Sequence, residues 1–172
     1  MGGPFKMASG EESNVMLDLS RGLRTLAVQN ALMKSLGAMS LPDFQRVGGP
    51  LSGSDLLAFA MMSAGRIKEG WFGVRASPKN RGYDRGFLTG FYRSGETVLL
   101  LEDISTSGGT LLLAYEAVLA EGLRPIGALA VVDRGGLPIF TAATGLPGQA
   151  LLLLRGQDLQ VSPETYPEQP WC

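Results

Sequence analysis

The sequence contains no histidine and a single cysteine, Cys172, among its 172 residues. Without histidine, the chain can form neither a Ser-His-Asp or Cys-His catalytic centre nor a zinc site with histidine ligands. One cysteine cannot form an intramolecular disulfide, which favours a reducing, cytoplasmic location. Any catalytic chemistry must therefore depend on carboxylates, lysine, arginine, hydroxyl groups, backbone amides or a hard metal ion.

The chain also lacks a strong excess of either charge and has no long hydrophobic run. Its 15 Lys and Arg residues and 16 Asp and Glu residues leave a formal net charge of -1, which predicts neither nucleic acid nor an anionic membrane surface as a partner. No segment approaches the roughly 20 apolar residues that span a bilayer. The length predicts one domain over residues 1–161, followed by a Pro-rich C-terminal tail over residues 162–172.

Apolar runs that alternate with glycine-rich turns predict an α/β fold. Continuous apolar runs over residues 98–101, 126–132 and 151–154 are typical of strands buried on both faces of a parallel sheet. Weaker patterns predict strands over residues 14–19, 44–47 and 71–74, and helices over residues 21–36, 54–62 and 110–121. Because strand, turn, helix and strand in this order form βαβ units, we expect a central, mostly parallel sheet flanked by helices.

Residues 75–90 have a different character, because they are polar and rich in glycine. Loops of this length inside a compact domain are usually functional lids or disordered segments, so we expect a long functional loop here. The segment contains four cationic side chains: Arg75, Lys79, Arg81 and Arg85.

The most informative segment is VLLLEDISTSGGT, residues 98–110, in which a predicted strand ends at Glu102 and Asp103. The turn that follows opens a helix, whose unpaired backbone amides and dipole favour an anion. Gly108 and Gly109 allow the backbone to close around a phosphate. Carboxylates suit ribose hydroxyls or a bound Mg²⁺, so the segment favours a sugar phosphate as ligand. The turn offers four hydroxyl side chains: Ser105, Thr106, Ser107 and Thr110.

Other phosphate motifs do not fit this turn. A Walker A loop needs lysine directly before its Ser or Thr, whereas Gly109 precedes Thr110, and the G-x-G-x-x-G fingerprint is absent. An ordinary strand-to-helix turn with a hydroxyl cap would explain one serine or one glycine, but two acids, four hydroxyl residues and two glycines in order favour a binding site.

Residues 101–110, LEDISTSGGT, resemble the signature that binds 5-phosphoribosyl-1-pyrophosphate (PRPP) in type I phosphoribosyltransferases. The resemblance is closest to orotate phosphoribosyltransferases, and it extends to four other segments. Residues 5–10, FKMASG, resemble their N-terminal strand pair, and residues 47–53, VGGPLSG, resemble their pyrophosphate-binding loop. Residues 72–75, FGVR, resemble the start of a mobile catalytic loop. Residues 131–136, VVDRGG, resemble the segment whose arginine meets the orotate carboxylate.

The resemblance implies transfer of ribose 5-phosphate from PRPP to orotate, which gives orotidine 5'-phosphate and pyrophosphate in de novo pyrimidine (UMP) biosynthesis. It implies Mg²⁺ as cofactor, held by Glu102 and Asp103 indirectly through PRPP, and a homodimer in which a neighbouring subunit completes each site. Arg134 and Thr106 would bind orotate. The implied catalytic residues are Arg75, Lys79 and Asp103. The implied PRPP-binding residues are Glu102, Asp103, Ser105, Thr106, Ser107, Gly108, Gly109, Thr110, Arg75, Lys79 and Arg81.

Four positions depart from the family pattern. Ala8, Gly53 and Ala76 stand where many members have lysine, and Arg81 stands where histidine is usual. Three alternatives therefore stay open. The first is a phosphoribosyltransferase for another base, for which Arg134 would be incidental. The second is a PRPP-binding regulatory protein with weak or no catalysis, and the third is a generic sugar-phosphate-binding α/β domain.

Overall fold

A six-stranded sheet forms the centre of the computed structural model, which describes residues 5–6, 12–13, 19–79 and 86–154. The strand order is β5-β4-β3-β6-β7-β8, and every pairing is parallel except that between β4 and β5. This confirms the predicted α/β fold with a mostly parallel sheet. The strands are β3 (Arg46–Pro50), β4 (Trp71–Lys79), β5 (Gly86–Gly90), β6 (Thr97–Ser105), β7 (Arg124–Asp133) and β8 (Gly148–Leu153). A separate antiparallel pair precedes them, β1 (Phe5–Lys6) and β2 (Glu12–Ser13).

Helices cover both faces of the sheet and create two separate hydrophobic cores. Leu99 and Leu101 of β6 belong to the first core, whereas Val98 and Leu100 belong to the second. This alternation explains why β6 is a continuous apolar run, because successive side chains enter different cores. The helices are α1 (Leu19–Leu23), α2 (Leu26–Ala38), α3 (Gly53–Ser63), α4 (Gly109–Ala120) and α5 (Gly136–Thr144), of which α1 to α3 contribute to the first core and α4 and α5 to the second.

The N-terminal helical region differs from its prediction. The expected helix over residues 21–36 is two helices, because the chain turns at Arg24 and the Thr25 Oγ1 accepts the N–H of Val28 to cap α2. Helix α2 continues to Ala38, two residues past the predicted end. Leu19, expected to end a strand, begins α1, and residues 14–18 lie outside the described residues. Helix α5 was not predicted from the sequence.

The prediction of a long loop over residues 75–90 is wrong at both ends of that range. Residues 75–79 continue β4, and residues 86–90 form β5, which pairs with β4 in antiparallel orientation and buries Leu88. Lys79 pairs with Gly86 after an irregularity in the register that follows Val74, so this segment belongs to a strand rather than to a loop. Residues 80–85, with Arg81 and Arg85, lie outside the described residues, as does the predicted tail over residues 162–172. Within the described ranges, no helix is long and apolar enough to cross a membrane.

Candidate active site

Three parallel strands end at one edge of the sheet, and each is followed by a turn that opens a helix. β3 leads to α3, β6 leads to α4, and β7 leads to α5. The next parallel strand after β3 is β4, on one side, whereas the next parallel strand after β6 is β7, on the other. Ligands of open α/β sheets bind in the crevice at such a change of direction. The crevice at the carboxyl ends of β3 and β6 is therefore the candidate site.

The turn between β6 and α4 is tightly packed. Gly108 has a left-handed backbone, with φ of 73°, and a Cβ atom built on it would lie only 2.7 Å from the carbonyl oxygen of Gly136. Glycine is thus required both by conformation and by space. Thr106, Ser107 and Thr110 are exposed, whereas Ser105 is fully buried. Three of the four predicted hydroxyl side chains are therefore accessible to a ligand.

The two acids that end the predicted strand have different environments. Glu102 is only 5% exposed, and burial raises its pKa to about 7, an effect that the nearby hydroxyls of Ser105 and Thr110 only partly offset. The charges of Asp103 and Asp133 raise it further. Neither the Oε2 of Glu102 nor the Oγ of Ser105 has a hydrogen-bond partner among the described residues. A buried carboxylate oxygen without a donor suits a ligand that brings hydroxyl groups or a cation.

The loop after β3 packs directly on this acid pair. The hydroxyl of Ser54 donates to the carbonyl oxygen of Pro50 at 2.8 Å, which holds the first turn of α3 against the end of β3. Gly53 lies against the carboxylate of Asp103, whose Oδ1 accepts the N–H of Ile104 at 2.8 Å. The predicted pyrophosphate loop and the predicted acid pair are therefore neighbours.

The end of β7 joins the site through the backbone. The N–H of Arg134 donates to the carbonyl oxygen of Ser105 at 2.7 Å, which ties the predicted base-binding segment to the turn between β6 and α4. The Arg134 side chain is half-buried and lines a cavity of about 810 Å³ between α5 and β8. The described residues offer its guanidinium no hydrogen-bond partner.

Asp133 is a site residue that the sequence reasoning missed. It is 6% exposed, and its Oδ1 accepts the N–H groups of Gly135 at 3.1 Å and Leu137 at 3.0 Å. These bonds satisfy amides at the start of α5 and shape the backbone on either side of Arg134. The signal was present, because Asp133 stands two residues before the Gly-Gly pair at which α5 begins, and Asp is a frequent acceptor for amides at a helix start.

The predicted cationic residues lie on a different part of the sheet. The Arg75 Nη1 donates to the carbonyl oxygens of Leu88 at 2.9 Å and Gly86 at 3.4 Å, and Lys79 is exposed at the end of β4. The structure therefore brings together the acid pair, the hydroxyl-rich turn and Arg134. It places Arg75 and Lys79 on the antiparallel pair of strands β4 and β5, which we call the β4–β5 arm. Arg81 lies outside the described residues.

The described ranges contain no group of three or more Asp, Glu, Cys or His residues that could hold a metal ion by themselves. Glu102 and Asp103 nevertheless offer carboxylate oxygens, the ligand type that Mg²⁺ prefers, and the Oε2 of Glu102 lacks a partner. These residues therefore fit Mg²⁺ only if a substrate supplies most of its oxygen ligands.

Comparisons with known proteins identify the family of the chain. No family model matches the chain. The chain is 36% identical over 154 residues to orotate phosphoribosyltransferase of Mycobacterium avium. The alignment covers 87% of this chain and 84% of the relative. The crystal structure of Mycobacterium tuberculosis orotate phosphoribosyltransferase in complex with Fe(III) dicitrate is similar, with a TM-score of 0.71, 34% identity, and coverage of 93% of this chain and 91% of that one. The PRPP complex of the same enzyme has a TM-score of 0.69 and 31% identity, and covers 92% of this chain and 90% of that one. This chain belongs to the orotate phosphoribosyltransferase family.

Proposed function

We propose that this protein is an orotate phosphoribosyltransferase, a pentosyltransferase of de novo pyrimidine synthesis in the cytoplasm. The bond between the ribose C1 and pyrophosphate breaks, a bond between C1 and a ring nitrogen of orotate forms, and the proton of that nitrogen passes to water or to the released pyrophosphate. The observation that carries the proposal is the 2.7 Å hydrogen bond from the Arg134 N–H to the Ser105 carbonyl oxygen. It joins an arginine suited to a carboxylated base to a turn suited to a sugar phosphate.

The turn after β6 is our proposed site for the 5-phosphate of PRPP. Its amides stand at the N-terminus of α4, where the helix dipole favours an anion. Thr106, Ser107 and Thr110 are exposed and can donate hydroxyl hydrogen bonds. The buried Ser105 contributes through its backbone, and Gly108 and Gly109 let a phosphate approach the backbone.

The acid pair is our proposed site for the ribose hydroxyls. Hydroxyl donors would satisfy the Oε2 of Glu102, which has no partner among the described residues. Glu102 and Asp103 would also hold Mg²⁺ indirectly, with PRPP supplying the remaining oxygen ligands. When bound, Mg²⁺ offsets the negative charge that develops on the departing pyrophosphate.

Arg134 is our proposed partner of the orotate carboxylate. A guanidinium and a carboxylate form short, charge-assisted pairs that also fix orientation. The guanidinium is half-buried at a cavity, and its backbone is held by Ser105. Thr106, the exposed residue after Ser105, stands close enough in the chain to offer a second contact to the base.

The cations of the β4–β5 arm are our proposed partners of the pyrophosphate. Arg75, Lys79 and Arg81 would offset charge on the leaving group in the transition state. Strand β3 separates this arm from β6, the strand that ends in the acid pair. We therefore propose a homodimer in which the arm of each protomer serves the site of its partner.

A spectrophotometric assay tests the proposal. Purified protein is mixed with PRPP, Mg²⁺ and orotate, and the fall in orotate absorbance is followed. We expect turnover that Asp103→Asn abolishes and that Glu116→Gln, on the exposed face of α4, leaves unchanged. Turnover with another base but not with orotate would refute the assignment of the acceptor. PRPP binding by calorimetry without turnover on any base would instead identify a regulatory protein.

A further inference from the structure

One glycine lies between the loop after β3 and the end of β6. Gly53 is the first residue of α3, and Asp103 is one of the last residues of β6. A Cβ atom built on Gly53 would lie 2.5 Å from the Oδ1 and 2.6 Å from the Oδ2 of Asp103. Real Cβ atoms do not approach other atoms this closely. The carboxylate of Asp103 therefore occupies the space of a Cβ atom at position 53, and this flexible side chain would have to move to make room for one.

The requirement for glycine at this position is one of space alone. The backbone of Gly53 is not among those with positive φ, so its conformation is open to other residues. Gly108, by contrast, has a φ of 73° and needs glycine for its conformation as well. A substitution at position 53 therefore probes the contact with Asp103 rather than backbone strain.

Asp103 depends on this contact because little else holds its side chain. Its Oδ1 accepts the N–H of the adjacent Ile104 at 2.8 Å, and the side chain is half-buried. No cation of the described residues pairs with it. A Cβ atom at position 53 would therefore compete with the carboxylate for the same space.

We propose that Gly53 is a positioning residue for Asp103. By lacking a side chain, it lets the carboxylate lie against the first turn of α3, in the crevice where the ribose of PRPP binds. This inference rests on the proposed function, since the position of Asp103 matters to PRPP only if PRPP binds there.

Unfolding measurements test the steric pairing without reference to activity. Gly53→Ala, Asp103→Ala and the double variant are unfolded in urea beside the wild-type protein. We expect Gly53→Ala to change the midpoint less favourably when Asp103 is present than in the Asp103→Ala background, because the truncation empties the space that a Cβ atom at position 53 needs. If Gly53→Ala does not fold, recovery of folding in the double variant gives the same answer.

The matched control is Gly37→Ala. Gly37 also lies in a helix, α2, but a Cβ atom built on it has nothing within 4 Å. We expect this variant to keep or raise the urea midpoint, because alanine is the better helix former. An equal loss of stability from Gly53→Ala in both Asp103 backgrounds would overturn the pairing.

Kinetics then test the positioning role. We expect Gly53→Ala to lower kcat/KM for PRPP by about 10- to 100-fold, the scale of a misplacement of about 1 Å. The KM for orotate should stay unchanged, as should both constants in Gly37→Ala. A general loss of structure would not affect PRPP selectively. An unchanged KM and kcat for PRPP in Gly53→Ala would overturn the positioning role even if the unfolding data show the pairing.

The two proposals fail in different ways. If the wild-type protein neither binds nor turns over PRPP, the proposed function is wrong, and the positioning role is wrong with it. The urea measurements would still show whether Gly53 and Asp103 compete for space. If the wild-type protein is active and Gly53→Ala behaves like Gly37→Ala, only the positioning role is wrong.

Discussion

Replacing Glu102 by glutamine should stabilise the protein while damaging its binding site. Folding buries this carboxyl and raises its pKa from the ordinary value of 4.5 to about 7. The difference corresponds to about 3 kcal/mol of unfavourable ionisation in the folded state. Between pH 4.5 and 7 the folded protein holds a proton that the unfolded chain has released, so stability falls as the pH rises. The stability that Glu102 contributes is fully present below pH 4.5 and is lost above pH 7.

A glutamine side chain removes this dependence because it does not ionise. We expect Glu102→Gln to raise the free energy of unfolding by about 2–3 kcal/mol more at about pH 8 than at about pH 5. Urea unfolding at both pH values measures the difference, and Glu116→Gln on the exposed face of α4 is the control. Equal effects at the two pH values would show that burial does not raise the pKa of Glu102.

The same substitution should weaken PRPP binding. An ionised Glu102 accepts ribose hydroxyls better than its protonated form, so the wild-type KM for PRPP should rise as the pH falls below 7. In Glu102→Gln the KM should be high at every pH, without this trend. A stabilised variant with a normal KM for PRPP would refute the assignment of Glu102 to the ribose.

Three further predictions concern other parts of the molecule. Arg134→Ala should raise the KM for orotate about 10- to 100-fold, the value of a charge-assisted hydrogen bond, with the KM for PRPP unchanged in the same assay. Asp133→Ala should cost about 1–2 kcal/mol in urea unfolding, because two amides at the start of α5 lose their acceptor. Glu96→Ala should cost about 3–5 kcal/mol, because it leaves Arg46 buried without its partner at 2.7 Å. The Arg46 guanidinium lowers the pKa of Glu96, so the stability that the pair contributes should be lost as the pH falls through that lowered pKa. A cost of Glu96→Ala below about 1 kcal/mol would contradict the prediction that the pair is buried.

The strands and turns of the core could be predicted because their signals are local. The run at residues 98–101 is apolar at every position because Val98 and Leu100 face one core while Leu99 and Leu101 face the other. The turn after it needs glycine at position 108, where φ is 73°. Composition and order along a few residues are sufficient for both inferences.

The β4–β5 arm could not be predicted in the same way. Residues 75–79 are polar and have the composition of a loop, yet they belong to β4, whose partner strand begins seven residues after Lys79. Arg75 is satisfied by carbonyl groups of that partner strand. Strand formation here depends on the partner more than on the propensity of the residues themselves.

The sequence by itself determined the class of fold and predicted a strand that carries the acid pair into a glycine-rich turn, because both depend on the types and the order of neighbouring residues. Only the tertiary structure decided that Gly53 meets Asp103, that Arg134 bonds to Ser105, and that Glu102 is buried enough to raise its pKa to about 7. Residues 50 apart in the chain meet only through the order and register of the strands. Burial, in turn, depends on what packs above a residue, which no local pattern specifies.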